Sequence, residues 1–433
     1  MLTATPYPHH TRTGAARPAR PAAATRPAAR ITRSRIVAPT LGLADGPSAA
    51  VFRAAAIRGP LYRDEATRAS GASVATVNRH VSAMLAAGLL RERPDLAVSG
   101  AIGRPRIPFE VDHEPYVTVG IHIGARVTSV VAADLRGRIL GSVEIATPRG
   151  ESATALVAVA ASARRFAARW QRRRLLWVGV ALGGRVDADT GVADHDRLGW
   201  SGARVGEIVG AGFGVPVSVA THVEAMAASE LLFASEPADH SGGRGSGLYV
   251  YARETVGLAV TLDGRVHTPA AGPGSVAHLP TGADVRCDCG ATGCLEAAVG
   301  DRGVLLAARQ AGVLPPGDTL PPIAALHTAA RAGSAAAQQI LIDRAHTLGR
   351  AVAMLRDLFN PDRVTLGGQA FTGYPEAVPH VAQALSGASR NGGTGVQVTG
   401  FGSRVQEHAA AAVALSSLYA DPQAAMRKAT VRV

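Results

Sequence analysis

Aromatic side chains make up only 4% of this 433-residue chain, so its interior must be built largely from alanine, valine and leucine rather than around large rings. Apolar runs of about 18 residues free of charge are absent, which excludes the usual membrane-spanning helix. Cysteine is nearly absent too. The three cysteines are too few for a disulfide framework and all stand between residues 287 and 294, a clustering that signals a metal in a reducing, cytoplasmic setting. Acidic residues are missing altogether from residues 1–44. What is present is a hydrophobic fraction of 47%, ample core for two or three compact units at this length.

The formal net charge is +12, and it is unevenly placed. The acid-free leader carries Arg12, Arg17, Arg20, Arg26, Arg30, Arg33 and Arg35 among repeated Pro and Ala. With few large apolar residues to pack, residues 1–44 are expected to form a disordered basic tail. Such a tail would favour a polyanion such as DNA through counterion release. A solvated surface, the compositional bias of a GC-rich genome and an organellar transit peptide fit the same residues.

Behind it, over residues 45–114, the pattern predicts a winged helix-turn-helix. Helices are expected over 49–58, stopped by Gly59-Pro60, and over 63–69, followed by the turn Ser70-Gly71-Ala72. A third begins at Ser73 as N-cap and ends before Gly88. With Val74, Val77 and Val81 expected to point inward, Ser73, Ala75, Thr76, Asn78, Arg79 and His80 are left for solvent. Asn78 can read adenine bidentately and Arg79 can reach guanine or phosphate. The Gly- and Pro-rich stretch that follows reads as a wing, whose Arg91, Arg93, Arg104 and Arg106 are expected against the backbone or minor groove of double-stranded DNA. The same helical geometry serves protein docking, so the residues alone leave both partners open.

From residue 115 onward, apolar β-branched stretches over 117–123, 127–134, 138–144 and 177–181 alternate with Ala-rich helical ones over 153–170 and 408–419, which implies an α/β architecture. Cys287-x-Cys289-x4-Cys294 places three soft sulfurs in a Gly-containing loop, with His278 nine residues upstream. Three thiolates plus an imidazole suit tetrahedral zinc with no open position, a structural site; three free cysteines in a buried loop are the alternative. His195, His240 and His267 stand in polar surroundings and are expected at the surface.

The ordered set formed by Gly59 to Ala66, Gly88-Leu89-Leu90, Gly103-Arg104-Pro105, Val119 to Ala125, Asp134-Leu135, Gly257, Gly264, His278, Gly293-Cys294-Leu295-Glu296 and Asn360 to Gly368 resembles the ROK family (repressor, open reading frame, kinase). The resemblance spans about residues 50–420. It implies a two-lobed actin-like sugar-kinase fold behind the winged module, over 115–433, with lobe I at 115–219 plus 408–433 and lobe II at 220–407. It also implies zinc on the His and Cys residues named, although the spacing from His278 to Cys287 is one residue shorter than the family's. Where family kinases carry an Asp-x-Gly-Gly-Thr phosphate loop, this chain has His122-Ile123-Gly124-Ala125-Arg126. Thr221-His222 replaces the Asn-Asp pair that supplies the catalytic base, and of Glu-x-Gly-His only His278 survives, with Ser275 standing earlier in the segment. The expectation is a cytoplasmic, dimeric, sequence-specific repressor that is not an enzyme, binding an inverted repeat. Its degenerate cleft, containing His122, Arg126, Thr221, His222, Ser275 and Glu296, would take a sugar or other small effector or none. Leu366-Gly367-Gly368 reads as a tight strand-to-loop turn. The alternatives are a residual sugar kinase and a ligand-sensing scaffold without specific DNA recognition.

Overall fold

The computed structural model describes residues 35–97, 106–233, 245–269, 272, 274–388 and 395–430. Residues 35–45 already depart from the expected tail. Ile36 pairs in parallel with Val217, Val37 N–H donates to the Val217 carbonyl at 2.9 Å and Val217 N–H to that of Arg35 at 3.0 Å. Seven residues on, Leu43 N–H donates to the Gly264 carbonyl and Val266 N–H to that of Leu41, both at 2.8 Å. The segment lacks side-chain periodicity, yet the open backbone groups of two sheet edges hold it as a strap.

Three helices follow. Helix α1 (Pro47–Arg58) starts with proline at its first turn and buries Val51, Phe52, Ala55 and Ala56. In α2 (Arg63–Ser70) the Glu65 carboxylate accepts the Tyr62 N–H at 2.7 Å, and Gly71 ends the helix in the left-handed region. Helix α3 (Val74–Ala86) is capped by Ser73, whose Oγ accepts the Thr76 N–H at 3.2 Å, and buries Val77, Val81 and Met84. Val74, expected inward, is 60% exposed; its side chain leans back over the helix start, beyond the packed stripe. Strands β1 (Leu90–Glu92) and β2 (Phe109–Val111) pair antiparallel at the ends of the segment expected to form a wing. Arg104 lies outside the described residues.

The first sheet comes from β3 (Tyr116–Ile123), β4 (Val127–Ala133), β5 (Ile139–Ala146), helix α4 (Ser152–Ala167) and β6 (Arg174–Leu182). A small meander, β7 (Arg185–Asp187), β8 (Val192–His195) and β9 (Trp200–Ala203), leads to α5 (Val205–Phe213), β10 (Val217–Thr221) and α6 (His222–Phe233). The order is β10-β6-β3-β4-β5. The second sheet comes from β11 (Ser246–Ala252), β12 (Val256–Leu262) and β13 (Arg265–Val266). Helices α7 (Leu295–Val299), α8 (Asp301–Gln310), α9 (Ala324–Arg331) and α10 (Ala335–Phe359) then precede β14 (Arg363–Gly367), α11 (Gln369–Thr372), α12 (Val378–Ala388) and β15 (Gly395–Val398). Its order is β13-β12-β11-β14-β15. In both sheets a hairpin-linked antiparallel half adjoins a parallel half at the first strand, so the two lobes repeat one plan. Thr221 pairs with Leu182, which moves the expected lobe boundary at 219/220 past β10.

Helix α13 (Val405–Ala420) packs against β3, β6 and α6, and α14 (Pro422–Thr430) follows it. The alanine-rich α13 lies so close to the sheet that a Cβ on Gly120 would stand 2.6 Å from the Ala410 carbonyl carbon, and one on Gly179 would stand 2.2 Å from the Ala414 nitrogen. Both obstacles are backbone and cannot swing aside. Gly179→Ala is therefore expected to lose about 3 kcal/mol, read as a lower urea midpoint; an unshifted midpoint would refute this close approach. The three-helix module docks on the same helix. Phe52 meets the Tyr419 ring edge-on at 5.4 Å, Tyr419 donates to the Leu135 carbonyl at 3.2 Å, and Arg136 donates to the Ala56 carbonyl at 2.9 Å.

Candidate nucleic-acid interface, metal centre and cleft

The first turns of α3 leave Ser73, Ala75, Asn78 and Arg79 exposed and Thr76 and His80 partly so. Asn78 accepts a long hydrogen bond from Arg63, 3.5 Å, and Arg79 makes no ion pair among the described residues. These short and polar side chains at a helix start match what entry into a major groove requires. Arg91 and Arg93 are placed otherwise than expected. Buried Glu110 accepts from Arg91 at 2.8 Å and from Arg93 at 2.9 Å, and Arg93 also donates to Asp95. Burial opposes the Glu110 charge, yet the two guanidinium groups hold its carboxyl below the ordinary range. Arg91 and Arg93 thus close the base of the wing, because a buried carboxylate demands them. Arg106 pairs with Asp64 and lies over the Tyr62 ring, 5.4 Å from its centre.

The candidate metal ligands converge as their spacing suggested. Cys287 Sγ stands 3.7 Å from His278 Nδ1, Cys289 Sγ stands 3.7 Å from Cys294 Sγ, and all four donor atoms lie within 4.8 Å of one another. A sulfur to sulfur edge of about 3.7 Å is what tetrahedral bonds of about 2.3 Å produce. Burial, then the neighbouring thiols, push the Cys294 thiol up to about 12, so Cys294 keeps its proton at neutral pH unless a cation stands among the sulfurs. Gly290 and Gly293, at φ 93° and 81°, allow the loop to fold back on itself, with Cys287 N–H donating to the Ala291 carbonyl at 2.8 Å. Cys294 then caps α7.

Between the lobes lies a cleft of about 820 Å³ that contains all six residues assigned to it from sequence. On its floor His122 is 2% exposed, and neither ring nitrogen has a hydrogen-bond partner. Its ring stacks on His222 at 5.6 Å, and His222 faces Tyr251 at 5.4 Å. Thr221 donates to Glu224 at 2.5 Å. Arg126 lies 3.6 Å from Glu254, and the Ser275 hydroxyl accepts the Ala277 N–H at 3.3 Å. Glu296 is a strut rather than a free contact: it accepts the Val256 N–H at 3.0 Å and pairs with Arg197. Sequence reasoning missed Arg197, Arg253 and Glu254, which line the cleft without any motif. It also misplaced His195, which is buried beside Trp200 and faces the cleft; the alternation of the short strand β8 turns Ala193 and His195 inward. His240 lies outside the described residues, and His267 is exposed as expected.

Burial, then His222 and Arg253, hold His122 well below the ordinary imidazole value, and burial followed by His195 brings His222 down to about 4. Both rings are neutral in the folded protein at neutral pH. Because His222 binds its proton near 6.5 when unfolded and only near 4 when folded, acid favours the unfolded chain. Its contribution is present above pH 6.5 and lost as pH falls toward 4. Between pH 7 and 5 this costs about 2 kcal/mol, a slope that His222→Asn should remove from urea unfolding measured at the two values. Identical slopes would show that His222 does not titrate this way.

The ROK family model matches residues 118–416. Over 400 residues the chain is 52% identical to a transcriptional regulator of Mycobacterium tuberculosis, covering 91% of this chain and 90% of that protein. It is 25% identical over 336 residues to the DNA-binding transcriptional dual regulator NagC of Escherichia coli K12, covering 74% and 80%. Among solved structures, a ROK family transcriptional regulator homologous to the Escherichia coli MLC protein superposes with a TM-score of 0.72 at 21% identity, over 89% of this chain and 98% of that one. A ROK family glucokinase from Streptomyces griseus, in complex with glucose and AMPPNP, gives 0.60 at 22% identity, over 69% and 99%. Both structural likenesses concern the fold.

Proposed function

Since the chain belongs to the ROK family, we propose that it is a DNA-binding transcriptional repressor whose kinase-like part no longer transfers phosphate and serves dimerisation and effector sensing. The observation that carries this reading is the exposed polar start of α3, on a three-helix module docked to α13 of a domain whose cleft has His122 and His222 on its floor. Neutral imidazoles offer Mg²⁺ no carboxylate oxygen, and phosphoryl transfer depends on holding that ion and on a base beside the sugar hydroxyl. A small effector would instead meet uncharged rings on the floor and arginines at the rim.

His278, Cys287, Cys289 and Cys294 would hold a structural zinc ion, which supplies a rigid four-way link and no open coordination position. The loop they close ends in α7, and Glu296 on that helix spans to Val256 and Arg197, so the ligand set also braces one wall of the cleft. Among the described residues no helix is long and apolar enough to cross a membrane, and the reading places the protein in the cytoplasm, on DNA as a homodimer. Two such modules related by a two-fold axis fit an inverted repeat.

The test is selection of fragmented genomic DNA by the full-length, zinc-loaded protein at physiological salt. The repressor reading expects one shared palindrome among the recovered fragments, together with no sugar-dependent consumption of ATP. Uniform recovery of all fragments would overturn specific recognition, and ATP turnover would restore the kinase.

A further inference from the structure

A basic strip on lobe I takes no part in the sites described above. The sequence from Ser152 to Val186 contains no acidic residue. Arg169, Arg172 and Arg174 stand exposed at the corner between α4 and β6, and Arg164 and Arg165 extend the charge along α4. Arg174 donates to the Ala429 carbonyl at 3.0 Å, which brings the end of α14 and its exposed Arg427 and Lys428 alongside. None of these side chains forms an ion pair among the described residues. The nearby Asp112 and Glu114 both face Arg91, at 3.8 and 3.4 Å, and Asp421 accepts the Ala424 N–H at the far end of α14.

The strip adjoins the DNA-binding module. Arg173 donates to the His113 carbonyl at 2.9 Å, on the segment leading from the wing. Tyr116, the register partner of Arg174, places its hydroxyl 2.8 Å from where a Cβ on Gly88 would stand, at the turn behind α3. Helix α14 also packs on α1 and α3. Helix C-termini favour cations, which accounts for Arg164, Arg165, Arg427 and Lys428 at the ends of α4 and α14. It does not account for Arg169, Arg172 and Arg174, which lie beyond α4, and so much like charge without carboxylates calls for an external polyanion. An anionic membrane would demand an apolar face beside the charge. The aromatic rings here are engaged instead: Trp170 packs on Phe166 at 5.0 Å and beneath Gly141, leaving Val157 as the lone exposed large apolar residue of α4.

We infer that Arg169, Arg172, Arg174, Arg427 and Lys428 form a second, sequence-independent surface for the phosphates of the duplex flanking the segment that α3 reads. The inference rests on the DNA-binding reading above, and its test separates the two. Full-length protein and a variant carrying Arg169→Gln, Arg172→Gln, Arg427→Gln and Lys428→Gln are titrated across a salt series, after matching melting temperature and zinc content. Two duplexes are used: one trimmed to the selected palindrome, one with a helical turn of unrelated sequence added at each end.

The variant is expected to bind the trimmed duplex as the wild type does and the extended one at least about 10-fold more weakly, with the salt slope reduced by about 3. Equal loss on both duplexes, or an unchanged slope, overturns the flanking surface. If the genomic selection yields no palindrome, the same series on a random duplex decides: a slope reduced in the variant supports the strip while specific recognition falls. Sedimentation with phosphatidylglycerol vesicles closes the other route, since wild-type capture lost in the variant, with DNA binding unaltered, reassigns the strip to lipid.

Discussion

Cys289→Ser protein is expected to purify without the one zinc ion per chain that the wild type should carry, and to unfold at a markedly lower temperature. Three thiolates and an imidazole within 4.8 Å have no comparable partner when one ligand is lost, and the remaining thiols, with Cys294 already pushed up to about 12, would reprotonate. An ion bound at free concentrations about 1,000 times its dissociation constant stabilises the folded state by about 4 kcal/mol, a large fraction of the stability of a typical domain. The loss should be concentrated between His278 and Gly300, where α7 hangs from Cys294 and Glu296 reaches across the cleft. Metal analysis, thermal melting and proteolysis inside that loop measure it together. Equal melting of metal-free variant and wild type would mean that the loop's own hydrogen bonds suffice.

The second large effect concerns recognition. Replacing both Asn78 and Arg79 by alanine should lower affinity for the selected palindrome by about 100-fold or more, since each bidentate base contact is worth about 1–3 kcal/mol. Binding to unrelated duplex should change little, because neither residue belongs to the basic strip. The fold should survive: both side chains are exposed, and their helix is held by Val77, Val81 and Met84 from its other face. Competition titrations of the palindrome against random duplex give the ratio directly, and a ratio equal to the wild type's would move base reading away from α3.

Much of this was legible in the sequence where the determinant is local. Gly59-Pro60, the Ser73 cap and the glycine turn set the three helices within a few residues of their bounds, and the spacing of three cysteines brought their sulfurs together. The alanine-rich stretch over 408–419 announced a helix, though not how closely its backbone approaches the sheet. What escaped depends on partners far along the chain. Residues 35–45 have no period of their own and are ordered only because Val217 and Gly264 to Val266 offer them open edges. Arg91 and Arg93 look like wing contacts until buried Glu110 claims them. Glu296 looks like a ligand contact until Val256 and Arg197 do the same. His195 reads as polar surface because the four-residue strand that turns it inward is too short to show alternation.

The placement of α13 also sets an order of events during synthesis. This helix is among the last of the described residues to leave the ribosome, yet β3 and β6 have their glycine floor shaped for its backbone, and Phe52 of the first helix packs on its Tyr419. Until residue 420 has emerged, lobe I lacks its central layer and the recognition module lacks its dock. The nascent chain therefore presents its three N-terminal helices while an apolar floor is still open, a state in which chaperone engagement competes with premature collapse.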